Sequence, residues 1–448
     1  MIRFDRSRTR LGFGRALVLD LFESGFAAVD PKRCVRDCVS LDGDRLAVGS
    51  TVCDLTARRV WVIGIGKAAI PMSEAILERL GPALGGGIAL TRYGYGGSVE
   101  GMRVLEAGHP IPDANGLRAA TMIGELADGV SADDLVVCLL SGGGSALLAA
   151  PPVGVSIGNL AETTRLLLEF GAPIGEINTV RRHLSTLQGG LLARRLHPAT
   201  TITLVLSDVV GNRLEAIASG PTVPDSSTFG DAIDVLRRHR LWERLPAPVR
   251  DHLARGADGR TGETPKSGDP EFQGMVVEIV GDNDAFLESL EQAAQRVGCR
   301  VVRVPEPVVG EASDAGRRLG RRAMNLVATA GERTLLVAGG ETTVMVRGRG
   351  QGGRNQEFAL AAALEIEGIG GVCVAALATD GSDGVTDAAG AIVDGSTAGL
   401  ARRAGVDPQA ILGENDSHAA LNASGDLLFT GPTRTNVADA YVALIDAD

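Results

Sequence analysis

Lysine is nearly absent from this chain. Of 44 basic residues only Lys32, Lys67 and Lys266 are lysine, and all the others are arginine. A chain that avoids lysine so strongly, yet keeps one directly behind a strand and a glycine turn, points to a need for an ammonium at Lys67. Positive charge is short overall. The formal net charge of −11 argues against a nucleic-acid partner, because a phosphate backbone needs a basic face. It does not argue against a small anionic substrate, which meets only its own pocket. Long apolar runs are missing too, and none approaches the roughly 20 residues that span a bilayer. The opening stretch MIRFDRSRTRLGFG lacks the apolar middle and small-residue cleavage site of a signal peptide. The expectation is a cytoplasmic protein with no membrane partner. The six cysteines are scattered, and Cys34 and Cys38 have no second Cys/His pair at ligand spacing. Reduced thiols, not a structural metal, are expected.

What is present is a long alternation of apolar strand-length runs and helix-period segments. At 448 residues the chain exceeds one ordinary core, so two domains are expected. Candidate strands lie at 59–65, 86–91, 102–107, 134–141, 201–209, 275–281, 300–305, 333–340, 342–347 and 372–380. Helices are expected at 67–80, 114–129, 177–195, 284–298, 311–330 and 355–366. Continuous Val/Leu/Ile runs alternating with helices indicate largely parallel sheets covered on both faces, an α/β fold. The polar stretch 256–274 has no apolar periodicity and marks a loop or linker. Residues 1–250 are expected to form a Rossmann-like α/β domain and 251–448 a second α/β domain, with an active-site cleft between them. Of the 60 glycines, four clusters fall at strand ends, where ligands bind in open parallel sheets.

The stretch Val62–Ala69 poses the functional question. Gly64-x-Gly66-x-x-Ala69 satisfies the dinucleotide pattern formally, but the next strand ends in Arg92 and Tyr93 where an acidic residue should hold the ribose. An NAD(P)H-dependent hydroxypyruvate reductase is therefore the weaker alternative. A P-loop is excluded, because Ala68 follows Lys67 where Ser or Thr is required. Phosphoryl transfer needs positive charge over the moving phosphate, a divalent cation and tight positioning. Lys67 at a helix N-terminus, the run Ser141-Gly142-Gly143-Gly144-Ser145, Asp208 after a buried strand, Glu341 in a turn between two strands and Arg354 after a glycine loop supply these types. The turn 379–390 fails calcium-loop spacing, since Ala391 stands where the bidentate Glu belongs. It suits a Mg²⁺-nucleotide or substrate hydroxyls.

Ten ordered motifs, among them GIGKAA (64–69), GHPIPD (108–113), LSGGGSALLAAP (140–151), INTVRRHLS (177–185), LSDVVG (206–211), IASGPTVPD (217–225), GGETTV (339–344), GGRNQE (352–357), ATDGSDGVTDAAGA (378–391) and TGPTRTNVAD (430–439), resemble the glycerate 2-kinase family with a C-terminal MOFRL domain. The resemblance implies that ATP phosphorylates the 2-hydroxyl of D-glycerate with Mg²⁺, with the MOFRL region at about 330–440. It implies Lys67 and Arg354 as catalytic cations, and Ser141, Gly142, Gly143, Gly144, Ser145 and Asp208 on the substrate side. Glu341, Asn355, Asp380, Gly381 and Asp383 fall on the nucleotide side, with Asp208 and Glu341 as metal carboxylates. A homodimer is compatible with this reading. Three positions depart from the pattern: Gln188 stands for a lysine, Asn212 for an aspartate and Ser313 for an arginine. The departures leave a related short hydroxy acid open as the substrate.

Overall fold

The computed structural model describes residues 2–12, 14–56, 58–327 and 331–446. It divides the chain into two compact units, residues 31–280 and residues 1–30 with 281–448. The expected boundary at 250/251 is thereby displaced to 280/281, and the first 30 residues go with the C-terminal unit. No described helix is long and apolar enough to cross a membrane.

The unit 31–280 is built on six strands: β1 (Val60–Ile65), β2 (Leu84–Arg92), β3 (Met102–Ala107), β4 (Leu135–Ser141), β5 (Thr200–Leu206) and β6 (Val276–Gly281). Their spatial order is β3-β2-β1-β4-β5-β6, and β1 to β5 pair in parallel. β4 is buried along its whole length, as a strand covered on both faces must be. The chain order reverses between β1 and β4, and their C-terminal ends open a crevice there. Helix α1 (Ala69–Leu80) follows β1, and the four-residue helix α2 (Gly144–Leu147) follows β4. The helix expected over 177–195 is two helices. α3 (Ile174–Arg182) and Leu191–Leu196 are separated where Gly189 and Gly190 take φ of 60° and 80°, outside the helical region. A small antiparallel sheet over residues 39–54 was not expected.

The other unit carries β7 (Arg300–Arg303), β8 (Val308–Glu311), β9 (Thr334–Thr343), β10 (Val372–Ala378), β11 (Gly390–Asp394), β12 (Leu427–Leu428) and β13 (Asp439–Ile445). The order is β7-β9-β13-β10-β11-β12, with β8 also against β9. Here the expected parallel sheet is corrected to a mixed one. Only β7 and β8 run parallel to β9, whereas β13 is antiparallel to both β9 and β10. The two strands expected at 333–340 and 342–347 are one strand. Helix α4 (Arg354–Glu365) is buried on nearly every face.

The N-terminal residues join this unit through burial. Arg15 is fully buried, with Nη1 2.7 Å from Asp426 and Nη2 2.7 Å from Asp394. Phe26 packs edge-on to Phe286 at 5.4 Å.

Candidate active site

Two groups of the expected residues are assembled, one in each unit. The first stands at the switch point of the parallel sheet. The β1 strand ends at Ile65, and Gly66 turns the chain with φ 123°. A side chain there would strike Ser141, whose carbonyl and hydroxyl oxygens lie 2.3 Å from the position of a Cβ, so only glycine fits. The next residue is Lys67. Its N–H donates to the Gly142 carbonyl at 2.9 Å, and the N–H of Ala68 donates to Ser141 Oγ at 3.0 Å. The two strand ends are thus stitched together. Lys67 is 8 % exposed, and it lies two residues before α1 rather than inside it.

Gly143 takes φ 86°, and a Cβ there would sit 3.5 Å from Lys67 Cγ and 3.4 Å from His109 Cδ2. The lysine, the glycine run and His109 of the GHPIPD loop therefore meet at one place. His109 is exposed there, a position its proline-flanked sequence context did not disclose. Asp208 follows β5 by two residues and is half-buried.

Ser145 is held from two sides. Ser219 Oγ donates to Ser145 Oγ at 2.9 Å, and Gln188 Nε2 donates to the Ser145 carbonyl at 2.7 Å and the Leu148 carbonyl at 3.2 Å. The departure at Gln188 thus has a structural consequence, because its amide ties down the two carbonyls that end the glycine run. Ala218 and Ser219 both have positive φ, 51° and 59°. Left-handed backbone at consecutive non-glycine residues costs on the order of 1–3 kcal/mol each and gathers at functional sites. The IASGP motif was the signal for Ser219, but its sequence does not tell that it leans on Ser145.

The second group is centred on Arg354, the first residue of α4. Its Nε and Nη2 bind the two oxygens of Asp439 at 2.5 and 2.9 Å, and Nη1 lies 2.9 Å from Glu341 Oε1. Burial alone would lower the guanidinium's pKa, but the Asp439 and Glu341 carboxylates hold it well above its ordinary value. Three of five N–H donors are used, leaving one on each terminal nitrogen. Glu341 lies within β9, opposite Val309, and not in the expected turn. Asp439 is fully buried and also accepts from Tyr441 at 3.2 Å. Sequence reasoning missed Asp439 as the residue that aims Arg354. The NVAD motif contains it, but a pairing 85 residues apart has no local pattern.

Asp383 has a different environment from the one expected. Its Oδ1 accepts from the Asn355 N–H and Nδ2, and its Oδ2 from the Gln356 N–H and Nε2. Asp383 and Asn355 are both buried, so the carboxylate caps the first turn of α4. Burial raises the pKa of Asp383, although the two backbone N–H groups oppose that rise. Gly353 abuts the same carboxylate, 2.3 Å from Cγ to its Cβ position. Of the glycines before Arg354, Gly353 packs on the 380s turn, whereas Gly348, Gly350 and Gly352 pack on Glu414, Asp416 and Ser417. Asp380 is half-buried in that turn and accepts from the Ser382 N–H, and Gly381 has φ 84°. Among the described residues, no three His, Cys, Asp or Glu side chains form a group that could hold a metal. A divalent ion would rest on one or two carboxylates and on the substrate's own phosphates, the usual manner of Mg²⁺.

Known proteins resemble the whole chain. A "Domain of unknown function (DUF4147)" family model matches residues 17–254, and the MOFRL family model matches 334–439. A "Glycerate 2-kinase" of Pyrococcus horikoshii is 42% identical over 439 residues, covering 96% of this chain and 97% of that protein. An Agrobacterium vitis protein provisionally named a hydroxypyruvate reductase is 38% identical, covering 96% of this chain and 94% of its own. The crystal structure of a glycerate kinase from Thermotoga maritima superposes with a TM-score of 0.81 at 38% identity, over 96% of this chain and 99% of that one.

Proposed function

The chain belongs to the glycerate 2-kinase family with a C-terminal MOFRL domain, and from that premise we propose that it transfers the γ-phosphoryl group of ATP to the 2-hydroxyl of D-glycerate. The observation that carries the reading is Lys67, buried at the switch point and stitched to the Ser141–Ser145 run. A fixed ammonium there suits the charge that spreads over a moving phosphoryl group. A nicotinamide enzyme instead needs an acidic residue after β2, and Arg92 ends that strand.

In this reading Lys67 neutralises and orients the phosphoryl oxygens, and Arg354 keeps two N–H donors that can bind an anion at its own unit. Asp439 and Glu341 fix the guanidinium plane. Gln188 and Ser219 hold Ser145 in place, and the glycine run lets substrate approach the backbone closely. Asp383 and Asn355 brace the start of α4, and Glu341, Asp380 and Gly381 are the other residues on the nucleotide side. Mg²⁺ would supply further charge neutralisation on the phosphates, with Asp208 and Glu341 as the candidate carboxylates.

The test is a coupled assay with purified protein. Release of ADP that depends on D-glycerate is expected. Oxidation of NAD(P)H with hydroxypyruvate, and no ADP, would overturn the proposal.

A further inference from the structure

Two adjacent arginines close helix α3, and the fold treats them differently. Arg182 is buried and largely answered: its Nε lies 2.9 Å from Asp225 as an ion pair without a well-aligned hydrogen bond, Nη1 donates to the Glu215 carbonyl, and Nη2 donates to Thr179 and Ser227. Arg181 is buried as deeply, at 8 % exposure, yet its one hydrogen bond runs from Nη1 to Asn178 Oδ1 at 3.3 Å. Among the described residues no carboxylate lies within ion-pairing distance of it. Burial pushes its pKa down to about 10. Burying an unpaired charge is expensive, and folds ordinarily avoid it. A buried guanidinium with most of its donors unused is the expected form of a receptor for an anion that arrives later.

The cavity that Arg181 lines supports this. Its walls include Ser145, Ala146, Ser185 and Gln188. Ser145, one of those walls, is also the end of the glycine run that begins beside Lys67. The cavity is narrow, with room for about one water-sized group, the size of a single carboxylate oxygen, and none for a nucleotide. Leu160 and Leu184 add apolar walls, which strengthen any charge pair formed beside them.

We propose that Arg181 binds the carboxylate of the hydroxy-acid substrate, so that the glycine run holds the acid with its hydroxyl toward Lys67 and its carboxylate toward Arg181. The inference rests on the hydroxy-acid kinase reading above and deepens it. It makes Arg181 the residue that selects acids over uncharged alcohols. Its guanidinium is held at a cost in stability until the substrate arrives.

The test uses the full-length protein and the variants Arg181→Met and Arg181→Lys. D-Glycerate and its uncharged amide serve as probes, each measured by kinetics and by thermal shift without ATP. In Arg181→Met the KM for D-glycerate should rise about 10²-fold or more while the KM for ATP stays level. Its preference for acid over amide should vanish, and its melting temperature should equal or exceed that of the parent, because an unpaired buried charge is gone. Arg181→Lys should recover part of the preference for acid. An unchanged KM for D-glycerate in Arg181→Met would overturn the proposal. So would a lowered melting temperature with both KM values raised together, the signature of a structural residue. Failure of the kinase reading would look different. The parent would show no turnover, yet D-glycerate would still raise its melting temperature through Arg181, which would support the anion site and reject the reaction.

Discussion

Lys67 is held on three sides by the strand end before it, the Gly142 carbonyl and the glycine run. Its replacement by alanine therefore removes an ammonium without disturbing the stitch, which is made by backbone groups. Steady-state kinetics of Lys67→Ala should show kcat lower by roughly 10²–10⁴-fold with an unchanged melting temperature. Near-normal kcat would remove Lys67 from the chemistry. Arg354 is a separate case, because its fork spans both oxygens of Asp439 while reaching Glu341. A lysine keeps the charge but cannot make that bidentate contact. Arg354→Lys should lose roughly 10²-fold or more in kcat, and full activity in it would show that charge alone suffices. The placing of Lys67 and Arg354 at element boundaries was legible in the sequence because each follows a glycine turn. Asp439, Ser219 and the carbonyl-binding role of Gln188 were not legible. Each works through a partner that the fold, and no local spacing, brings near.

At the scale of elements, the buried parallel strands β1, β2, β4 and β5 follow directly from their unbroken apolar runs. Strand direction does not. β13 is buried throughout, as β4 is, yet runs antiparallel to both neighbours, and composition carries no sign of it. That Asp383 caps α4 is equally hidden in the sequence, since a cap and a ligand carboxylate are one residue type in a glycine turn. The expected linker 256–274 is polar and irregular, but it is tied down at several points, through Thr264 to Asp225, Lys266 to Ser227 and Glu271 to Arg194 as well as through Glu263. Glu263 accepts from His183 Nε2 at 3.1 Å and from the N–H groups of Thr264 and Phe229. Burial would raise its pKa, and those hydrogen bonds outweigh burial and bring it from 4.5 down to about 2. The carboxylate is thus depressed in the folded state. Its stabilisation is present above the ordinary value and lost as pH falls through that window. The melting-temperature gap between the parent and Glu263→Gln should be widest above about pH 5 and close toward about pH 2. A gap that stays constant over that range would contradict this assignment.

For the whole molecule, the sequence implied two α/β units but misplaced their border. The helix Arg15–Ala28 belongs with residues 281–448 because Arg15 and Phe26 find Asp426, Asp394 and Phe286 there. Such pairings span more than 250 residues and leave no trace in local periodicity. The function, by contrast, was largely legible, since it rests on motifs each of which lies within a few consecutive residues at a strand end. Phosphorus NMR of the product formed from ATP and D-glycerate probes both the reaction and the hydroxyl that receives the phosphate. The expected result is a monoester signal split into a doublet by the single proton on C2, formed by the parent and absent with Lys67→Ala. A triplet, from a phosphate on the CH₂ carbon, or no phosphoester at all, would contradict transfer to the 2-hydroxyl at the Lys67 site.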